Sequence, residues 1–157
     1  MSEAARAARA ARAARPRVAV GSDHAGFEMK KTVKRALDEL GYEAIDFGTD
    51  SEESTDYPDF AHAVSRAVAS GAVERGVLAC GSGIGMSISA NRHEGVRAAL
   101  VWDPELAELA RRHNDANVLV LPGRFIGEQQ AVEALRRFLD VSFDGGRHER
   151  RIKKIER

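Results

Sequence analysis

The stretch GVLACGSGIGMSISANR, residues 76–92, opens with an apolar run, passes through glycines at 81, 83 and 85, and continues into helix-forming residues. A short run that is apolar on every side chain fits a strand covered on both faces, as in a parallel sheet. The glycines then mark a tight loop ahead of a helix. Strand, loop and helix in this order are the unit of an α/β fold, and the same unit recurs on either side.

Upstream, RVAVGS (17–22) reads as a strand and FEMKKTVKRALDELG (27–41) as a helix, with Val33, Leu37 and Leu40 on one stripe. EAIDFG (43–48) is a second strand, and PDFAHAVSRAVASG (58–71) carries Phe60, Val64 and Val68 at helical spacing. Downstream, VRAALV (96–101) and NVLVLPG (117–123) are further strands. DPELAELARRHN begins with an N-cap Asp103 and a Pro104 at the first helical position. EQQAVEALRRFLD (128–140) is a helix, and RHERRIKKIER (147–157) a charged one. The alternation predicts a three-layer α/β/α sandwich around a five-stranded parallel sheet, Rossmann-like in plan.

Size and composition agree. A chain of 157 residues, 43% hydrophobic and 31% charged, is expected to form one domain with a real core. Formal net charge is zero, which argues against a nucleic-acid-binding body. No apolar run is long enough to span a bilayer, so no membrane partner is expected. One cysteine excludes an internal disulfide, fits a reducing compartment and points to the cytoplasm. Residues 1–15, with arginine at 6, 9, 12 and 15 among alanines, have no large apolar side chain to dock. They are expected to be a frayed, largely disordered extension, helical in part, of a domain covering residues 16–157.

In sheets of this kind ligands bind beyond the carboxyl ends of the strands. That edge should hold Asp23 and His24 after the first strand, the loop CGSGIG after the third and Arg124 in PGR after the fifth. The loop is not a dinucleotide fingerprint, because Met86 stands where the last glycine is required. Gly21 and Gly26 have the separation of a phosphate loop, but Phe27 and Glu28 follow in place of Lys and Ser/Thr. What remains is a set of free backbone amides at Gly81, Ser82, Gly83, Ile84 and Gly85, suited to an anion.

Cys80 precedes that loop directly. A lone cysteine is commonly an inert core residue. At a strand end ahead of a helix, amides and dipole are expected to favour its thiolate instead. His113 lies on an apolar stripe with Leu106, Leu109 and Ala110, a setting typical of packing histidines. Its place in the last helical turn favours a proton-handling role, and the reading puts it on the same functional edge as the thiol. His62 and His93 have no such setting. Arg147 and Arg151 are four apart beyond Gly145 and Gly146, so two guanidinium forks share one face, suited to a phosphate.

GSDHAGFEMK, DFGT, TDYPDFA, CGSGIGMSISANR, RRHNDANVLVLPGR and DGGRHERR occur in this order. On these motifs the chain, over about residues 17–152, resembles the ribose-5-phosphate isomerase B family of sugar-phosphate isomerases, which also holds galactose-6-phosphate isomerase subunits. The resemblance implies interconversion of aldose and ketose phosphates through an enediolate, without metal or organic cofactor. It implies Cys80 as the base, in place of the glutamate some members use. Ser82 stands where threonine is common. His113 maps onto ring opening, Asp23, His24 and Asn114 onto sugar-hydroxyl contacts, and Arg124, Arg147 and Arg151 onto substrate or phosphate contacts. The family's sites form between subunits, which implies a homodimer at least, with a tetramer open. A six-carbon sugar phosphate is the alternative substrate, and a non-catalytic sugar-phosphate-binding module the alternative of another class.

Overall fold

In a computed structural model describing residues 1–156, five parallel strands stand in the order β2-β1-β3-β5-β4. They are β1 (Arg17–Ser22), β2 (Glu43–Asp46), β3 (Arg75–Cys80), β4 (Ala98–Leu100) and β5 (Val118–Pro122). The helices are α1 (Glu3–Ala13), α2 (Phe27–Glu39), α3 (Tyr57–Ala69), α4 (Ile84–Ala90), α5 (Pro104–Asn114), α6 (Glu128–Asp140) and α7 (Arg147–Lys153). The expected three-layer α/β/α arrangement is the one observed.

Strand side chains alternate between the two faces, and each face has its own core. Val18, Val20, Val77, Ala79, Leu119 and Leu121 pack with α2, α5 and α6, where Leu37, Leu135 and Phe138 are fully buried. Ala19, Leu78, Cys80, Val118 and Val120 pack with α3 and α4 through Val64 and Met86. Nearly every β1, β3 and β5 position is buried, which is why these strands read as unbroken apolar runs.

Strand order reverses between β1 and β3, so the crevice of the fold opens where these two strands end. Gly26 closes the bottom of that crevice. A Cβ there would lie 2.1 Å from the carbonyl oxygen of Ala79, so only glycine lets the start of α2 approach the end of β3.

The Ala/Arg tract forms α1, because Ala and Arg are strong helix formers and the Ser2 hydroxyl accepts from the Ala5 N–H. None of its residues is buried. Its end is tied down by Arg15, which donates to Asp38 Oδ1 at 2.9 Å and to the carbonyls of Asp38 and Tyr42.

Candidate active site

The carboxyl edge of the sheet assembles most of the predicted residues. Asp23 follows β1 and is 5% exposed, while Cys80 ends β3 at 7%. Their side chains meet: the Cys80 thiol donates to Asp23 Oδ2 at 3.4 Å. The other Asp23 oxygen accepts from the Gly26 N–H at 2.9 Å, so the carboxylate is oriented by the turn that Gly26 makes possible.

Beyond Cys80 the chain turns through Gly83, whose φ of 77° is left-handed, and enters α4. The Cys80 carbonyl accepts from Gly123 N–H and the Gly81 carbonyl from Arg124 N–H, which pins the loop to the turn after β5. Arg124 lies over Gly81, where a Cβ would sit 3.3 Å from its side chain. Gly85 is covered by the ring of Tyr57, 2.5 Å from the place of a Cβ. Sequence reading does not single out Tyr57, although it lies inside the TDYPDFA motif. Nor does it single out Thr55, whose N–H donates to His24 Nδ1 at 3.1 Å and whose hydroxyl accepts from His24 N–H at 3.2 Å.

The electrostatics of Cys80 reverse the expected balance. Burial pushes the thiol up from its ordinary value, and the Asp23 carboxylate pushes it further; the amides of Gly83 and Gly81 pull down but do not win. The amides act in the anticipated direction, yet the net shift is upward, and the thiol donates to a buried carboxylate.

The remaining predicted residues are elsewhere. His113 and Asn114 end α5, which leads into Val118, and Val118 pairs with Gly76 at the beginning of β3. They therefore stand at the amino edge of the sheet, about 13 Å along the strands from the end where Cys80 pairs with Pro122. The expectation that the end of α5 lies on the same sheet edge as the thiol is corrected accordingly. The reason is topological: a crossover helix carries the chain back, so its last turn reaches the edge opposite to the strand ends. Arg147 and Arg151 belong to the same group. Their helix α7 docks on α5 through His148, whose ring stacks on His113 at 4.3 Å and 11°.

His113, Asp144 and His148 have ligand atoms within 4.8 Å of one another. The parallel rings direct their in-plane lone pairs side by side, and Asp144 is already paired with Arg112 at 3.2 Å. Burial, His113 and the neighbouring arginines push His148 down from the usual histidine value. Arg147 and Arg151 are exposed and share a helical face, as expected, and make no ion pair among the described residues. His62 and His93 are hydrogen-bonded to each other at 2.7 Å.

Three comparisons bear on this arrangement. The model of the Ribose/Galactose Isomerase family matches residues 18–155. Ribose-5-phosphate isomerase B of Escherichia coli is 44% identical over 139 residues, covering 88% of this chain and 93% of the relative. The crystal structure of a ribose 5-phosphate isomerase from Thermotoga maritima is 54% identical, with a TM-score of 0.88 over 90% of this chain and 97% of that one. The Mycoplasma genitalium ribose-5-phosphate isomerase B with bound ribulose-5-phosphate is 39% identical, with a TM-score of 0.85 over 88% of this chain and 93% of that one. A match across nearly the whole domain, carrying the motifs that build both groups of residues, makes this chain a member of the ribose/galactose isomerase family.

Proposed function

We propose that the chain interconverts ribose 5-phosphate and ribulose 5-phosphate, with Cys80 as the base that moves a proton between the first two sugar carbons. The observation that carries this reading is the buried thiol at the end of β3, set against a carboxylate on one side and the amides of Gly81 and Gly83 on the other. Proton removal beside a carbonyl builds negative charge on oxygen. The backbone amides of Ser82 to Gly85 are the donors for it, each worth about 3–4 kcal/mol when well aimed. Ser82 bears a hydroxyl at the same loop. Asp23, His24, Asn114 and Arg124 are the proposed sugar contacts, with Arg147 and Arg151 on the phosphate. His113 is the proposed ring-opening group, since an imidazole can both accept and return the anomeric proton.

The split between the two edges supports a homodimer in which one chain's His113, Asn114, Arg147 and Arg151 face the other's Cys80 loop. A twofold pair would then hold two composite sites. Ile84 and Ile88 of α4, 56% and 55% exposed, offer apolar surface beside that loop for such a partner. Dimers could pair further into tetramers. The reading assigns residues 16–157 to the isomerase domain, leaves α1 as an appendage, and places the protein in the cytoplasm, consistent with the absence, among the described residues, of any helix able to cross a membrane.

The test is isomerisation of ribose 5-phosphate in the presence of a chelator, run beside allose 6-phosphate and galactose 6-phosphate. Chelator-insensitive turnover of the five-carbon substrate is expected. Turnover of a six-carbon phosphate alone would move the assignment within the family, and failure on all three would overturn it.

A further inference from the structure

We infer that Asp23 is the acid–base partner of Cys80, holding the thiol's proton during catalysis and exchanging it with the substrate's oxygens, so that the two side chains act as one proton-sharing pair. The inference rests on the isomerase reading above and gives Asp23 a role beyond a hydroxyl contact.

The geometry is specific. The carboxylate is nearly buried, one oxygen is fixed by the Gly26 N–H, and the other is the acceptor for Sγ at 3.4 Å. Other charged or titratable groups near the pair are few. His24 is held by Thr55, Arg124 reaches over Gly81, and the buried Lys30 of α2 is committed to Asp46. The α3 and α4 sides supply only Tyr57 against Gly85. Within the chain, the acceptor in hydrogen-bonding reach of the thiol is Asp23.

The proton balance closes without an outside acid or base. When the open-chain aldose binds, the thiol proton moves to Asp23, leaving a thiolate and a neutral carboxyl. The thiolate takes the proton from C2, giving an enediolate whose charge the loop amides hold, and Asp23 then donates to O1, which leaves an enediol, a thiol and a carboxylate. Asp23 then removes the proton from O2, the C2–O2 double bond forms, and the thiol protonates C1. Product leaves, the proton returns from Asp23 to sulfur, and the pair has carried a single negative charge throughout. This explains how a thiol held in its protonated form by its surroundings can act as a base: it never has to lose its proton to bulk water.

The test uses the single cysteine, because thiolate absorbance and alkylation by iodoacetamide both report on Cys80 alone. Asp23→Asn keeps the shape and a carbonyl oxygen for the Gly26 N–H but cannot take a proton. It should lower kcat by about a hundredfold or more, with KM changed far less. At the same time it should move thiol titration to lower pH and speed alkylation at neutrality, because the repelling carboxylate is gone. A kcat loss with KM nearly kept, at an unchanged melting temperature, separates proton handling from a sugar contact and from a folding defect, and the titration shift shows that the carboxylate faces the thiol. Asp23→Glu, which keeps a carboxylate, should retain more kcat than Asp23→Asn and leave the thiol titrating higher than that variant does. The inference is overturned if Asp23→Asn raises KM with kcat kept within about threefold, or if thiol titration does not move. If wild-type protein fails to turn over ribose 5-phosphate, the isomerase reading falls, while the titration shift still decides whether the pair exists.

Discussion

Cys80 and His113 stand at opposite edges of the same sheet, one where β3 ends and the other where α5 hands the chain to β5. If two chains complete each other's sites, two inactive variants should rescue one another. Cys80→Ala and the double variant Arg147→Ala/Arg151→Ala, mixed one to one and allowed to exchange subunits, form hybrids with one intact and one doubly damaged site. Half the dimers are then hybrid and half their sites work, so activity should reach about a quarter of wild type. Activity that stays at the level of the separate variants after verified exchange would place both groups in one subunit's site.

Cys80→Ala should abolish nearly all turnover while the fold persists, since it trims only a small side chain. A variant retaining more than about a tenth of wild-type kcat, a loss under about 1.4 kcal/mol, would point to a different base. Stability against pH gives a second reading. The folded thiol sits above its ordinary value, so its contribution is complete below the usual thiol range and is lost as pH rises through the folded value. Wild type should therefore lose stability on the alkaline side relative to Cys80→Ala, which urea titration at several pH values will measure.

Arg147→Ala or Arg151→Ala should raise KM for ribose 5-phosphate by roughly 10- to 100-fold and change kcat less. Unphosphorylated ribose, if it is turned over, should be indifferent to either change. Equal losses on the two substrates would assign these arginines to the docking of α7.

Lys30 is 1% exposed and donates to Asp46 Oδ1 at 2.8 Å and to the Thr49 carbonyl. Burial pushes Asp46 up, but Lys30, Lys34 and the Gly48 N–H together outweigh it and hold the carboxyl below its ordinary value. Asp46→Ala leaves a buried cation without its counter-charge and should cost about 3–5 kcal/mol in urea unfolding, more than Lys30→Met does. Because the folded value is depressed, the Asp46 contribution is present above the usual carboxylate range and disappears as pH falls through the folded value. The gap between wild type and Asp46→Ala should accordingly narrow in acid.

Gly26→Ala should destabilise by about 3 kcal/mol or more, because its Cβ would meet the Ala79 carbonyl. Gly127→Ala is the control: nothing lies within 4 Å of its Cβ position, and its change should stay within about 0.5 kcal/mol.

The strands were legible because β1, β3 and β5 are buried on both faces, and the helices because their apolar residues keep one stripe. The carboxyl-edge group followed from the rule that loops after parallel strands gather at one edge, which places Asp23, His24, Cys80 and Arg124 together. The same rule, carried one step further, would have sent His113 to the other edge; its last-turn position was read for its dipole rather than for the direction of its helix. Thr55 and Tyr57 were hidden because their contacts with His24 and Gly85 are made across chain separations that no local pattern encodes. Burial of Cys80 and a carboxylate 57 residues away both push its thiol up, and neither can be read from the loop alone.

If two chains complete each other's sites, catalysis is tied to mass action. Such an enzyme has no fixed specific activity: below the dissociation constant of the pair, rate falls with the square of protein concentration, and a surface change that loosens association mimics a catalytic lesion without touching a reacting atom. Assays by serial dilution should show a downward break instead of a straight line, and the concentration at the break measures how tightly the two halves are held.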